Sequence, residues 1–258
     1  MRVTQIQIFH VRMPLTSAFR TAFANVTHIE SVLVRIEGTD GVYGWGEAAP
    51  WEYPLYCSEW ATGAFHVLRD VLGPKIVGSE FDSAGQLQNR LVSVRGNNFA
   101  KAALDLAWWD LAAKSVGVPL WQLIGGAKGS VDVGADIGVM ESLDALLVLV
   151  GEALQLGYKR IKLKYRPGWE VEAITAVRKA FPDAVLHVDC NSAYSLHDMR
   201  MFEQLDQLGL TMIEQPLAND DLLDHAKLAA RLRTPICLDE SIVSLDKARK
   251  AIDVGACR

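Results

Sequence analysis

Two different periods of apolar residues run along this chain. In its first part Val32, Val34 and Ile36 alternate with Leu33, Arg35 and Glu37, the two-residue period of a strand with one buried face. Asp40-Gly41 supplies a hairpin turn, and 42–48 returns as a second strand. A third strand is expected over 3–11. Between them, 14–27 reads as a long loop carrying Phe19 and Phe23, and loops of that length are often functional. Helical patterns follow at about 58–72 and 80–93. A stronger one covers 98–116, where Ala103, Leu104, Ala107, Trp108, Leu111, Ala112 and Val116 fall on one stripe before Gly117. This part predicts an α+β unit.

After Gly125-Gly126 the pattern changes. Short apolar strands at 131–139, 160–164, 186–191, 212–216 and 236–240 alternate with amphipathic helices at about 142–156, 169–181, 197–207, 221–232 and 244–253. Such alternation predicts parallel β/α units. Lys164, Asp189, Glu214 and Asp239 are separated by equal steps of 25 residues, each at or near the carboxyl end of its strand. In a β/α barrel those ends open on one face, where chemistry collects. An open, doubly wound sheet would scatter them. The expectation is therefore α/β: an N-terminal α+β domain over 1–126, then the first five units of an incomplete TIM-type barrel over 127–258.

Composition narrows the function. Half of the 258 residues are hydrophobic and 22 % are charged, which provides for a sizeable core and excludes a disordered chain. A net charge of −5 with no basic run argues against binding nucleic acid or an anionic membrane. No stretch approaches the roughly 18 apolar residues of a membrane span. The four cysteines form no CxxC pair and read as reduced thiols, so a cytoplasmic protein without signal peptide is expected.

Three carboxylates, Asp189, Glu214 and Asp239, converging from adjacent strands need a cation to stay ionised. One oxygen donor from each strand suits a hard divalent ion, Mg²⁺ or Mn²⁺, better than zinc. Lys162-Leu163-Lys164 puts two ammonium groups on one strand face. Mutual repulsion and partial burial are expected to depress a lysine pKa toward that of a general base. A lysine base beside a divalent cation suits removal of a proton next to a carboxylate, the arrangement known from enolase-type sites. His187 reads as a satisfied strand histidine, and Trp108 as core.

Asp189-x-Asn191, Ile213-Glu214-Gln215-Pro216, Asp239-Glu240-Ser241 and the Lys-x-Lys at 162–164 resemble the muconate-lactonizing subgroup of the enolase superfamily. Gly44-Trp45-Gly46-Glu47 and the run from Ala107 through Asp110 to Gly126 are similar to its capping domain. Ala193-Tyr194, 212–216 with Asp220-Asp221-Leu222, Asp224-His225-Ala226 and 234–241 resemble o-succinylbenzoate synthases of the type that also racemise N-acylamino acids. The resemblance covers essentially the whole chain. It implies Lys164 as the proton-transfer base. Lys162 would be its electrostatic partner and a holder of the substrate carboxylate, and Asn191 a polar contact near the metal. Residues 19–21 and the surroundings of Tyr56 would shape the pocket. The small-molecule carboxylate would be dehydrated to o-succinylbenzoate in menaquinone synthesis, or an N-succinyl- or N-acylamino acid would be racemised. The full-length parent would be a homo-oligomer. Two departures stand out. Asp136, a candidate substrate contact, occupies a first-strand position where the family usually has a small polar residue. Family members also continue past Arg258 into a sixth strand, whose lysine faces Lys164. A protein ending at Arg258 is therefore expected to be an inactive, poorly soluble or oligomeric partial chain, or a non-catalytic fragment.

Overall fold

The structure, a computed structural model, describes residues 1–20, 25–127, 129–165, 167–169 and 171–257. The chain forms two compact units, one built from Met1–Ala18 and Val26–Gly129, the other containing Ser130–Arg258.

The first unit is an antiparallel sheet with helices on one face. Its strands are β1 (Val3–Arg20), β2 (Asn25–Gly38) and β3 (Tyr43–Ala48), in the order β1-β2-β3. Of the expected loop at 14–27, residues 14–20 belong to β1 and 25–27 to β2, while Thr21 and Phe23 lie outside the described residues. Pro14 suggested a break, but β1 is the sheet edge, a place in a sheet where proline is readily admitted. Helix α1 (Ala61–Val67) continues through a π-turn at Leu68–Leu72 into α2 (Gly73–Ile76). Pro74, which has no N–H to donate, sits where the π-turn passes into α2. Then follow α3 (Ala84–Leu91), α4 (Asn98–Ser115) and the short α5 (Leu120–Leu123). Glu59 caps α4, its carboxylate accepting from the N–H groups of Asn98 and Phe99 at 2.6 and 3.0 Å.

Helix α4 lies directly on β3. A Cβ at Gly44 would collide with the Ala107 carbonyl, and one at Gly46 with that of Ala103. Only glycine admits so close a helix. Most of the apolar stripe read in the sequence is the buried face: Ala103, Leu104, Ala107, Trp108, Leu111 and Ala112 join Val32, Val34 and Ile36 in one core, whereas Val116, just past the end of the helix, is exposed.

The second unit is a parallel sheet of β4 (Gly134–Ile137), β5 (Arg160–Lys164), β6 (Leu186–Asp189), β7 (Ile213–Glu214) and β8 (Ile236–Cys237), ordered as in the sequence. A doubly wound sheet reverses its order, so this order is that of a barrel. The connecting helices are α6 (Leu143–Gln155), α7 (Val171–Ala180), α8 (Met199–Leu205, after a 3₁₀ turn at Leu196–Asp198) and α9 (Leu222–Arg231); α10 (Leu245–Asp253) follows β8. Ser142, Asp221 and Ser244 cap three of them through their side-chain oxygens.

Side-chain alternation divides the two faces of this sheet. Ile161, Leu163, Leu186, Val188, Ile213 and Ile236 pack with Val150, Val177, Phe202 and Leu228 of the helices. The residues between them face the other way, and they carry charge.

Candidate active site

Parallel register explains the 25-residue spacing. Lys164 pairs with Asp189, and Asp189 with Glu214, so one row crosses three strands. The partner of Glu214 on β8 is Cys237, so Asp239 stands two residues beyond the row. A second row, one pleat below, runs from Asp136 through Lys162 to His187.

These residues form one polar network. The Lys162 ammonium bridges two carboxylates, 2.7 Å from Asp189 Oδ2 and 2.7 Å from Glu214 Oε1. Lys164 donates to Asp189 Oδ2 at 2.6 Å and to Asn191 Oδ1 at 3.1 Å. Asp189 is fully buried, and its Oδ1 accepts from the Asn191 N–H at 3.0 Å. Asn191 in turn donates through Nδ2 to Glu240 Oε1 at 3.1 Å. Asp136 lies at the margin, 4.0 Å from Lys162.

At Lys162 the carboxylates reverse the expected direction of the pKa. Burial disfavours the Lys162 charge, but hydrogen bonds and attraction from Asp189 and Glu214 outweigh it, and the pKa is raised. Asp189 Oδ2 stands between the two ammonium groups, 2.7 Å from Lys162 and 2.6 Å from Lys164. Burial pushes Glu214 up, but bonds from His187 and Lys162 hold it well below the usual carboxylate range. Burial raises Asp136 against the pull of both lysines. It also pushes Glu240 up to about 7.

His187 is not the satisfied strand histidine that the sequence suggested. Its Nε2 lies 3.5 Å from Glu214 Oε2, and its buried Nδ1 has no hydrogen-bond partner. Trp108 is core, as read. Tyr56 stacks on Trp51 in the first unit, with ring centroids 6.4 Å apart.

The loops beyond the strands hold the network in place by unusual backbone. Asn191, Ser192 and Gln215 have φ of 43°, 62° and 36°, in the left-handed region that few non-glycine residues adopt. Fully buried Gln215 ties its neighbour loop down. Its Oε1 accepts from the N–H groups of Asp239 and Ser241 at 2.9 and 3.2 Å, and its Nε2 donates to Ser241 Oγ at 2.8 Å and to the Leu217 carbonyl at 3.1 Å. The sequence showed Gln215 only as a motif letter.

The chemistry of the donors, not their present arrangement, is that of a cation site. Asp189 and Glu214 offer only oxygens, the hard donors that Mg²⁺ and Mn²⁺ prefer, and a positive group already bridges them. That group is Lys162, and among the described residues no three His, Cys, Asp or Glu side chains stand together as a ready ligand cluster. No hydrogen bond or ion pair joins the Asp239 carboxylate to the other two among the described residues.

Residues 3–125 match the model of the mandelate racemase/muconate lactonizing enzyme N-terminal domain, and residues 145–258 match the enolase C-terminal domain-like model. An N-succinylamino acid racemase of Thermus thermophilus is 45 % identical, over 100 % of this chain and 70 % of its own length. The chain belongs to the enolase superfamily. An o-succinylbenzoate synthase of Geobacillus kaustophilus is 47 % identical over 96 % of this chain and 66 % of the relative. The chain thus spans about two thirds of the length of these superfamily relatives. Among solved structures, an enolase-superfamily member from Listeria innocua superposes with a TM-score of 0.96 at 34 % identity, over 100 % of this chain and 70 % of that one. The L-Ala-D/L-Glu epimerase of Bacillus subtilis gives 0.91 at 26 % identity, over 100 % and 73 %. Among the described residues no helix is long and apolar enough to cross a membrane.

Proposed function

We propose that this chain carries the capping domain and the base-bearing barrel strands of a metal-dependent lyase, one that dehydrates a succinylated hydroxycyclohexadiene carboxylate to o-succinylbenzoate. The observation that carries the reading is the position of Lys164. Its ammonium nitrogen lies between buried Asp189 and Asn191, beside the carboxylate pair that Lys162 bridges.

Each group has work to do in such a reaction. The free amine of Lys164 takes the proton next to the substrate carboxylate. The new ammonium is held by Asp189 Oδ2 and Asn191 Oδ1. The carbon–oxygen bond to the β-hydroxyl then breaks, and Lys164 returns its proton to the departing oxygen, which leaves as water. Lys162 opposes the negative charge that grows on the substrate carboxylate. Asp189, Glu214 and Asp239 would hold Mg²⁺, or Mn²⁺ in its place. A bound divalent cation supplies a second positive charge for that carboxylate. Asp189 and Glu214 would have to turn from Lys162 to such a cation, so the lysine and the metal compete for the same oxygens.

A second reading, racemisation of N-succinylamino acids, is favoured by the Thermus relative. It needs bases on both faces of the substrate, whereas elimination needs one, so dehydration is placed first. The test is to supply the intact protein with both substrates and Mg²⁺. Ultraviolet absorbance follows the aromatic product, and polarimetry follows racemisation. Turnover of the first supports the lyase reading. Turnover of the second alone replaces it with racemisation, and turnover of neither refutes both.

A further inference from the structure

Glu240 lies next to a proposed metal ligand, but its carboxylate faces Asn191. Both residues are buried, each 9 % exposed. Asn191 Nδ2 donates to Glu240 Oε1 at 3.1 Å, and Asn191 Oδ1 accepts from Lys164 at 3.1 Å. These two contacts fix the amide orientation. The ammonium of Lys164 can only donate, so it needs the amide oxygen. The Glu240 carboxylate takes the amide N–H. A flipped amide would break both bonds.

The loop bearing Glu240 does not need that carboxylate for its shape. Gln215 already grips the Asp239 and Ser241 N–H groups on either side, as well as the Ser241 hydroxyl. Glu240 Oε1 is engaged with Asn191, Oε2 has no hydrogen-bond partner, and the carboxylate's other contact is with the N–H of Glu240 itself, not with a neighbouring residue of the loop. At the Asn191 end the backbone is held in the left-handed region and tied to Asp189 Oδ1, so the amide is the part left to be set.

We infer that Glu240 is a positioning residue for Lys164: through the Asn191 amide it fixes where the Lys164 nitrogen sits relative to the substrate. The inference rests on Lys164 being the base. Small displacements of a reacting group are costly, about 10²-fold in rate for 1 Å. A carboxylate one residue removed from the lysine's own contacts therefore affects the chemical step more than substrate binding.

The test uses the intact protein with its turned-over substrate and saturating Mg²⁺. Glu240→Met keeps the side-chain length without an acceptor, and Glu240→Gln keeps an acceptor. Glu240→Met is expected to lower kcat about 10- to 100-fold with KM within about threefold, and Glu240→Gln to recover most of the loss. In an Asn191→Ala background Glu240→Met should add less than about a twofold loss, because the two act as one unit. Losses that multiply fully in the double variant, or a Glu240→Met kcat equal to wild type, overturn the inference. So does failure of Glu240→Met to fold, since the loop would then depend on the carboxylate. Should wild type turn over neither substrate, the functional reading fails by itself. Crystal structures of wild type and Glu240→Met then decide the relay. Asn191 swinging away from Lys164 in the variant supports it, and an unmoved amide overturns it.

Discussion

Helix α4 presses on β3 so closely that Gly44 and Gly46 have no room for a side chain, whereas β4–β7 present Asp136, Lys162, His187, Lys164, Asp189 and Glu214 on the face turned from their helices. In the first unit the sheet face is filled by contact with a helix, and its chemistry is that of packing. In the second unit the helices cover one face, and the other holds ionised groups that only one another's charges make tolerable. One sheet is thus built for close approach, while the other is built to gather charge.

The largest expected break in this contrast is at Lys164. Lys164→Ala should cost two to four orders of magnitude in turnover, roughly the worth of general acid–base catalysis, while thermal denaturation stays cooperative. Near-normal turnover would reduce the charged row to a structural feature. On the packing side, Gly46→Val sets a side chain against the Ala103 carbonyl. The loss should reach the upper end of the about 1–3 kcal/mol typical of overpacking, measured by urea denaturation. The Mg²⁺ response of the second unit should persist in that variant. If it vanished as well, the division between packing and chemistry would not follow the two units.

A smaller effect distinguishes a buried neutral group from the charged row. His225 Nε2 accepts from the Leu217 N–H at 3.3 Å, which leaves the proton on Nδ1, 2.6 Å from the Asp221 carbonyl. Burial lowers its pKa below the ordinary 6.5, against the pull of Asp221 and Asp224. A histidine that binds its proton less readily when folded contributes stability above the unfolded pKa. That contribution is lost as pH falls below about 6.5. Between pH 7 and 5 the Tm of wild type should fall more steeply than that of His225→Gln, and parallel slopes would refute this account.

Much of the second unit was legible because parallel β/α repeats of constant length make residues at that interval register partners. Lys164, Asp189 and Glu214 obey this. Asp239 shares the interval but not the row, which Cys237 takes, because the step from β7 to β8 is two residues shorter. The strand through Pro14 was misread as a loop, since a proline signals a break unless one knows that its strand is an edge. The Lys162 pKa was misjudged in sign, because the sequence does not show the two carboxylates that its ammonium bridges. The roles of Gln215 and Glu240 depend on left-handed backbone at Asn191 and Gln215, which no hydrophobic pattern reports.

The central proposal is that Asp189, Glu214 and Asp239 would hold a hard divalent cation. Thermal unfolding with increasing Mg²⁺ tests it most directly. Binding to the folded state alone stabilises by about 2.7 kcal/mol at a hundredfold excess over Kd, so Tm should climb with Mg²⁺ and likewise with Mn²⁺. Glu214→Gln keeps the shape but removes the charge, and its Tm should stay flat. A Tm in wild type indifferent to both ions, or an equal rise in Glu214→Gln, would contradict the account.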